Sequence, residues 1–309
     1  MTKKRKVAYL ALLINVILWG VAPPLVKLAL PHTTPFRWLF YRYLFAAPLA
    51  LPFLIFYLVQ AKLSIKTLLQ IIGLELIGTT AVLAALYEGL KLTSAIEASL
   101  ITATAPVFVT IGGILFLKEK EERNEWIGLA LALAGTILIA LEPILTGRNQ
   151  TATFSLLGNG LILLQNILWA MYLLMAKKVY KKLPKLMVTS ISFWVGLISF
   201  WILSLSQNTV PLFADLATPI VATSALYMAV FGSIIALTCY IYAQNVIEAS
   251  EATLFGYLQP LVSIPLAIWW LNDRLQTPSI IAMVIIAIGV FLAESRPGKS
   301  TKASGSRNG

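Results

Sequence analysis

Residues 95–106 read AIEASLITATAP, and residues 249–260 read ASEATLFGYLQP. Glu97 answers Glu251, Ser99 answers Thr253, Leu100 answers Leu254 and Pro106 answers Pro260, each pair 154 residues apart. Both copies set a carboxylate at the mouth of an apolar run that has a proline near its middle. Self-similarity at a fixed period marks a duplicated unit. The duplication extends outward from these motifs. Gly135 answers Gly289, and Glu119 answers Asp273, again 154 apart. Ile17–Trp19 with Lys27 returns as Ile167–Trp169 with Lys177 at an offset of 150.

What is duplicated is very apolar. Hydrophobic residues make up 59% of the 309-residue chain and charged residues 12%, about half the charge of an ordinary soluble domain. Apolar runs long enough to cross a bilayer as helices recur along it. Ten are predicted, over about 7–29, 36–58, 67–90, 95–117, 126–145, 156–176, 187–206, 220–245, 250–271 and 279–295. The expected fold is therefore an all-α integral membrane protein. Five spans make one half, so residues 1–150 and 151–295 form two units. Five is odd, and the second unit enters the membrane from the opposite side. Such inverted repeats build alternating-access transporters. Residues 296–309 have the composition of a disordered tail.

The net charge of +11 does not call for nucleic acid. With the KKRK at 3–6 placed inside, eighteen of the 24 Lys and Arg fall on the cytoplasmic side. That is the positive-inside bias of a multi-pass plasma-membrane protein with both termini cytoplasmic. The basic clusters meet anionic lipid headgroups. A single Cys239 and a single His32 exclude a disulfide framework and a His/Cys metal cage. No P-loop, HExxH or nucleophile elbow is present, so neither an enzyme nor a cofactor is expected.

Five stretches carry a resemblance: WGVAPPLVK at 19–27, RYLFAAPLALP at 42–52, GLKLTSAIEASLITATAPVFVTIGGILFLKEK at 89–120, WIGLALALAGTILIAL at 126–141, and EASEATLFGYLQPLVSIPLAIWWLNDR at 248–274. In this order and spacing the chain resembles the EamA-type carriers of the drug/metabolite transporter superfamily over nearly its full length. The resemblance implies a central cavity lined by the first, third, fourth, sixth, eighth and ninth helices. It also implies transport of small metabolites, often amino acids and commonly outward. Arg42 matches the family's arginine, an anchor for its helix. The acidic residue usual after the ninth helix is here the shorter Asp273, for which a capping role remains.

The candidate residues follow from cost. A charge inside a span is expensive and marks function or a satisfied partner. Glu75 lies deep in the third span, a candidate proton carrier or a carboxylate hydrogen-bonded to a neighbouring helix. Glu88 and Lys27 lie near outer helix ends and either pair as a gate or snorkel separately. Lys177 reads as a topogenic charge. Ser94 and Glu97 have the form of a capping box, Glu248 and Glu251 a looser one, so the repeated Glu is either a cap or a functional carboxylate. Near the midplane, Trp19, Thr79, Thr80, Thr104, Asn166, Trp169, Ser233 and Gln259 gather. Tryptophan ordinarily sits at the membrane interface, so a repeated central pair reads as cavity lining. Pro106 and Pro260 are expected to free carbonyls in mid-helix.

The expected site is a neutral, aromatic-walled cavity for a zwitterion or a weakly polar metabolite. The expected partners are that small molecule, the lipid bilayer and, if a carboxylate couples transport, protons, with the chain a monomer or weak homodimer. A lipid or lipid-linked sugar flippase and a passive facilitator share the same expected architecture.

Overall fold

A computed structural model describes residues 3–60, 64–117, 123–146, 152–180, 183–207, 211–244, 246–247 and 255–294. Glu119, Glu248, Glu251 and Thr253 lie outside the described residues, so the second copy of the opening motif is seen only from Phe255 onward. Among the described residues every regular element is helical. In chain order they are α1 (Lys3–Gly20), α2 (Ala22–Ala29), α3 (Pro35–Gln60), α4 (Ile65–Glu75), α5 (Val82–Leu92), α6 (Ala95–Ala103) and α7 (Ala105–Leu117). Then come α8 (Arg123–Ala140), α9 (Glu142–Leu145), α10 (Ala152–Val179), α11 (Lys185–Leu205), α12 (Pro219–Tyr227), α13 (Ala236–Gln244), α14 (Gln259–Leu271) and α15 (Thr277–Glu294). Seven continuous stretches are long and apolar enough to cross a membrane: Lys4–Ala29, Pro35–Tyr57, Ile65–Leu92, Ala95–Gly113, Ser155–Val179, Lys185–Leu205 and Pro219–Tyr240. Trp126–Ala140, Phe255–Leu271 and Thr277–Gly289 are shorter apolar helices.

The molecule is inverted relative to a water-soluble protein. Leu10, Ile55, Phe116, Leu261 and Trp269 are exposed, while Asn15, Arg37, Arg42, Glu75, Glu142, Asn159 and Asn166 are buried. An apolar exterior of this extent is stable only against lipid.

The helices pack in pairs: α1 with α13, α3 with α11, α5 with α10, α6 with α14, and α8 with α15. In lipid there is no hydrophobic drive between helices, so close approach depends on small residues. Glycine supplies it here. A Cβ at Gly135 would come within 3.0 Å of the Ala282 carbonyl and 2.6 Å of the Ile286 side chain. One at Gly289 would come within 2.6 Å of the Gly128 carbonyl and 2.7 Å of the Ala132 nitrogen. Gly128 and Ala132 are the residues 154 before Ala282 and Ile286, so one shift relates both contacts.

The α4–α5 stretch is interrupted by a π-helical segment at Leu76–Ala81, and α12–α13 by another at Met228–Ile235. Gly78 and Gly232 stand in them, again 154 apart. π-bulges are rare and gather at functional sites. Pro106 lies where α6 gives way to α7 at Thr104. Pro106 is the second residue of α7, and Pro260 likewise is the second residue of α14, after a 3-10 turn at Phe255–Leu258. A missing N–H costs nothing in a first helical turn.

Candidate functional site

Ser94 caps α6, accepting from the Glu97 N–H at 3.1 Å, as the capping box requires. The Glu97 carboxylate accepts from the Thr93 hydroxyl, which is 2.6 Å from the Asn159 side-chain oxygen. Asn272 ends α14 in the left-handed conformation at φ 54°, which Asn tolerates. That turn delivers Asp273 to the start of α6, where it accepts from the Ala95 N–H at 2.9 Å. Asp273 is a cap, and the helix it caps belongs to the other half of the sequence.

Lys27 and Glu88 do not pair. Lys27 donates to the carbonyls of Leu90, Lys91 and Thr93 at 2.7, 3.0 and 2.5 Å, closing the C-terminal end of α5. A cation suits that end of the helix dipole. Glu88 instead accepts from Gln207 at 2.6 Å, and the Gln207 side-chain oxygen accepts from the Phe36 N–H. Beside them Arg37 and Asp215 form an ion pair at 3.3 Å with both side chains buried. Thr33 donates to Asp215 at 2.5 Å, and Arg37 to the Pro211 carbonyl at 2.6 Å. One end of the bundle is thus tied by polar bonds that run between the sequence halves. The Arg37–Asp215 pair has no signature in the sequence. Its partners stand 178 residues apart, one in the first turn of α3 and the other in a 3-10 turn at Ala214–Ala217.

Deeper in the bundle, Glu75 is buried at the start of the first π-segment. Its carboxylate accepts from Thr79 at 2.7 Å, Tyr172 at 3.0 Å and Tyr180 at 2.8 Å. Ser192 of α11 lies 2.7 Å from the Thr79 hydroxyl. The Trp169 ring packs on Tyr172 at 5.4 Å, and the Tyr172 ring occupies the space a Cβ at Gly78 would fill. Neither tyrosine was expected at this site. Their spacing from Trp169, Tyr172 on α10 and Tyr180 just past its end, was the only available signal.

The second π-segment holds Ser233, which donates to the Met228 carbonyl at 2.9 Å and accepts from Arg42 Nη2 and Nε at 2.9 and 3.2 Å. Arg42 also reaches the Tyr87 hydroxyl at 3.4 Å and lies 5.5 Å from the Tyr43 ring centre. Trp19 donates from Nε1 to the Gly232 carbonyl at 2.8 Å and packs on Tyr240. Asn166 donates to the Ile101 carbonyl at 2.7 Å and to Thr104 at 3.3 Å, bracing the break between α6 and α7. Its own side-chain oxygen is buried without a partner. Gln259 opens α14 near Gly20.

The structure places Thr79 with Glu75 and Trp169, Ser233 with Arg42, Trp19 against Gly232 beside Ser233 on the same second π-segment, Thr104 with Asn166, and Gln259 beside Gly20. Two of these groups include an ionisable side chain, Glu75 beside Thr79 and Arg42 beside Ser233. Thr80 is apart, bonded to Ser199 at 2.7 Å. Lys177 is exposed near the end of α10.

An all-helical chain with an apolar exterior, paired helices and polar groups held at interrupted spans has the architecture of a membrane transporter. The model of the EamA-like transporter family matches residues 6–141 and again 156–294. The chain belongs to that family. An uncharacterized transporter of Archaeoglobus fulgidus is 27% identical over 291 residues, covering 93% of this chain and 97% of that one. The uncharacterized inner membrane transporter YedA of Escherichia coli K12 is 27% identical over 300 residues, covering 91% and 90%. A solved crystal structure superposes with a TM-score of 0.60 at 16% identity, covering 94% of this chain and 98% of its own. It shares the fold.

Proposed function

We propose that this transporter moves a small metabolite by alternating access, as a secondary active exporter, between inverted five-span halves at residues 1–150 and 151–295. The reading is carried by one observation. Arg42 and Ser192 are 150 residues apart, and Ser233 and Thr79 are 154 apart. The Arg42–Ser233 and Ser192–Thr79 bonds are then one contact made twice, once by each half. The two family matches and the pairing of the helices support the same duplication. Ten crossings with cytoplasmic termini place the tied end outside. The clusters around Trp19, Thr79, Thr104, Asn166, Trp169, Ser233 and Gln259 then face the path between the halves. Glu75 is the proton-coupling group. Lys27 and Glu88 belong to the outer closure.

Radiolabelled flux into proteoliposomes, run against a metabolite panel with and without a pH gradient, tests this. Gradient-driven flux of at least one metabolite is expected, and Glu75→Gln is expected to remove the gradient response while substrate binding, though weakened, stays measurable. No flux of any metabolite contradicts the reading. A gradient response that survives in Glu75→Gln removes the proton role.

A further inference from the structure

We propose that Arg42 and Glu75 are paired stations for one extended zwitterionic ligand, with its carboxylate at Arg42 and its ammonium at Glu75. The proposal rests on the transporter reading above and names the ligand of that path.

The two stations are built on equivalent hydroxyls of the two halves, although Arg42 itself answers Ser192 and Glu75 answers Ala229. Thr79 and Ser233, 154 residues apart, stand in the two π-segments. Thr79 donates to the Glu75 carboxylate, and Ser233 accepts from the Arg42 guanidinium. Equivalent frames thus hold opposite charges.

Neither charge is neutralised by direct contact. Among the described residues, the partners of Glu75 are the hydroxyls of Thr79, Tyr172 and Tyr180. Those of Arg42 are Ser233 and Tyr87, with the Tyr43 ring alongside. Unpaired charge at membrane depth is costly, and charged groups there usually pair with one another or with backbone carbonyls. Among the described residues the hydrogen bonds of the two groups run to different partners and none joins Arg42 to Glu75. A ligand carrying both opposite charges would bridge them.

The chemistry of each station suits its end of the ligand. Tyr172, Tyr180 and Trp169 are only half-buried, so the carboxylate lies behind an aromatic mouth, the surrounding an ammonium prefers. An incoming ammonium takes the place of the tyrosine hydroxyls on the carboxylate. The planar guanidinium fork is matched to a carboxylate.

Length follows from the helix. Tyr87, which marks the Arg42 level, is twelve residues beyond Glu75 on the same α4–α5 stretch, below about 18 Å of rise, since about 1.5 Å per residue holds for the α-helix and the π-segment Leu76–Ala81 rises less. The Tyr87 ring points back along the helix, leaving the charges on the order of 10 Å apart. An α-amino acid, with one carbon between its charged groups, is too short. An ω-amino acid or a dipeptide reaches.

The test is thermal unfolding of the purified protein in detergent with glycine, 6-aminohexanoate, the amide of 6-aminohexanoate and its N-acetyl derivative. Wild type is expected to be stabilised by 6-aminohexanoate and, at equal concentration, by none of the others. Glu75→Gln is expected to erase the preference over the N-acetyl form while keeping the preference over the amide. Arg42→Gln should do the reverse, with Arg42→Lys retaining the carboxylate preference if the Gln variant does not fold. Equal stabilisation by the capped forms, a glycine response as large as that of 6-aminohexanoate, or no response to any of the four overturns the proposal. Flux of the same labelled compounds keeps the two readings separate. Charge-selective binding without flux contradicts transport and not the stations, and flux of a metabolite with no charge preference contradicts the stations and not transport.

Discussion

The two ends of the α3–α11 pair are built from opposite chemistry. At one end Arg37, Asp215, Thr33, Gln207 and Glu88 bind one another across the halves. At the other, Ile71, Met187, Val188 and Ile191 pack with Leu54, Tyr57, Leu68 and Leu183 in an apolar cluster. The 150-residue shift sends Arg37 to Met187 and Thr33 to Leu183. Equivalent positions in a duplicated fold have therefore diverged from polar bond to apolar contact. Buried ionic bonds hold one geometry and fail sharply when a partner is lost. Apolar contacts in lipid gain only packing over what the lipid offers, so they part gradually. On the proposed alternating-access reading, ends of unequal strength let the protein rest in one state, held at the tied end.

The largest effect expected is from Asp215→Asn. It leaves Arg37 without its counter-charge at a fully buried site, a loss of about 3–5 kcal/mol. Thermal unfolding in detergent reads it. Replacing both partners by apolar residues, Arg37→Met together with Asp215→Leu, should recover most of the stability. If the single and double substitutions are equally harmful, the pair is not what holds this end.

A smaller effect is expected at the apolar end. Met187→Ala removes dispersion contacts without leaving a charge behind, so a cost of about 2 kcal/mol is expected, the low end for such a truncation. A cost matching that of Asp215→Asn in the same unfolding assay erases the difference between the ends.

The smallest is Ser94→Ala, which removes one cap from α6 and should cost about 1 kcal/mol. Asp273 still accepts from Ala95, so part of the helix end stays satisfied. Combining Ser94→Ala with Asp273→Ala should cost more than either alone, and equality with the single variant contradicts shared capping.

Helix positions were legible in the sequence because hydropathy and length govern them in lipid. The Ser94 cap was legible because it is local, whereas Gly135 and Gly289 were legible as a repeat and not as the close contacts they make. The π-segments were not. They depend on Arg42 and Ser192 arriving from other helices to meet Ser233 and Thr79, which no local pattern states. The same holds for Tyr172 and Tyr180, whose hydroxyls find Glu75 only after α10 packs on α5. Lys27 was read as a gate or a snorkelling residue, since nothing local shows that its reach ends on the carbonyls of another helix.

The central claim is that the halves are inverted copies, and sidedness of labelling tests it most directly. Lys91 is exposed in the last turn of α5, and Asn245 is its equivalent 154 residues on. In a Cys239→Ser background, single cysteines at these two positions would be treated with a membrane-impermeant maleimide, applied to intact cells and to inverted vesicles. The account predicts that Lys91→Cys reacts only in intact cells and Asn245→Cys only in inverted vesicles. Labelling of both from the same side would contradict it.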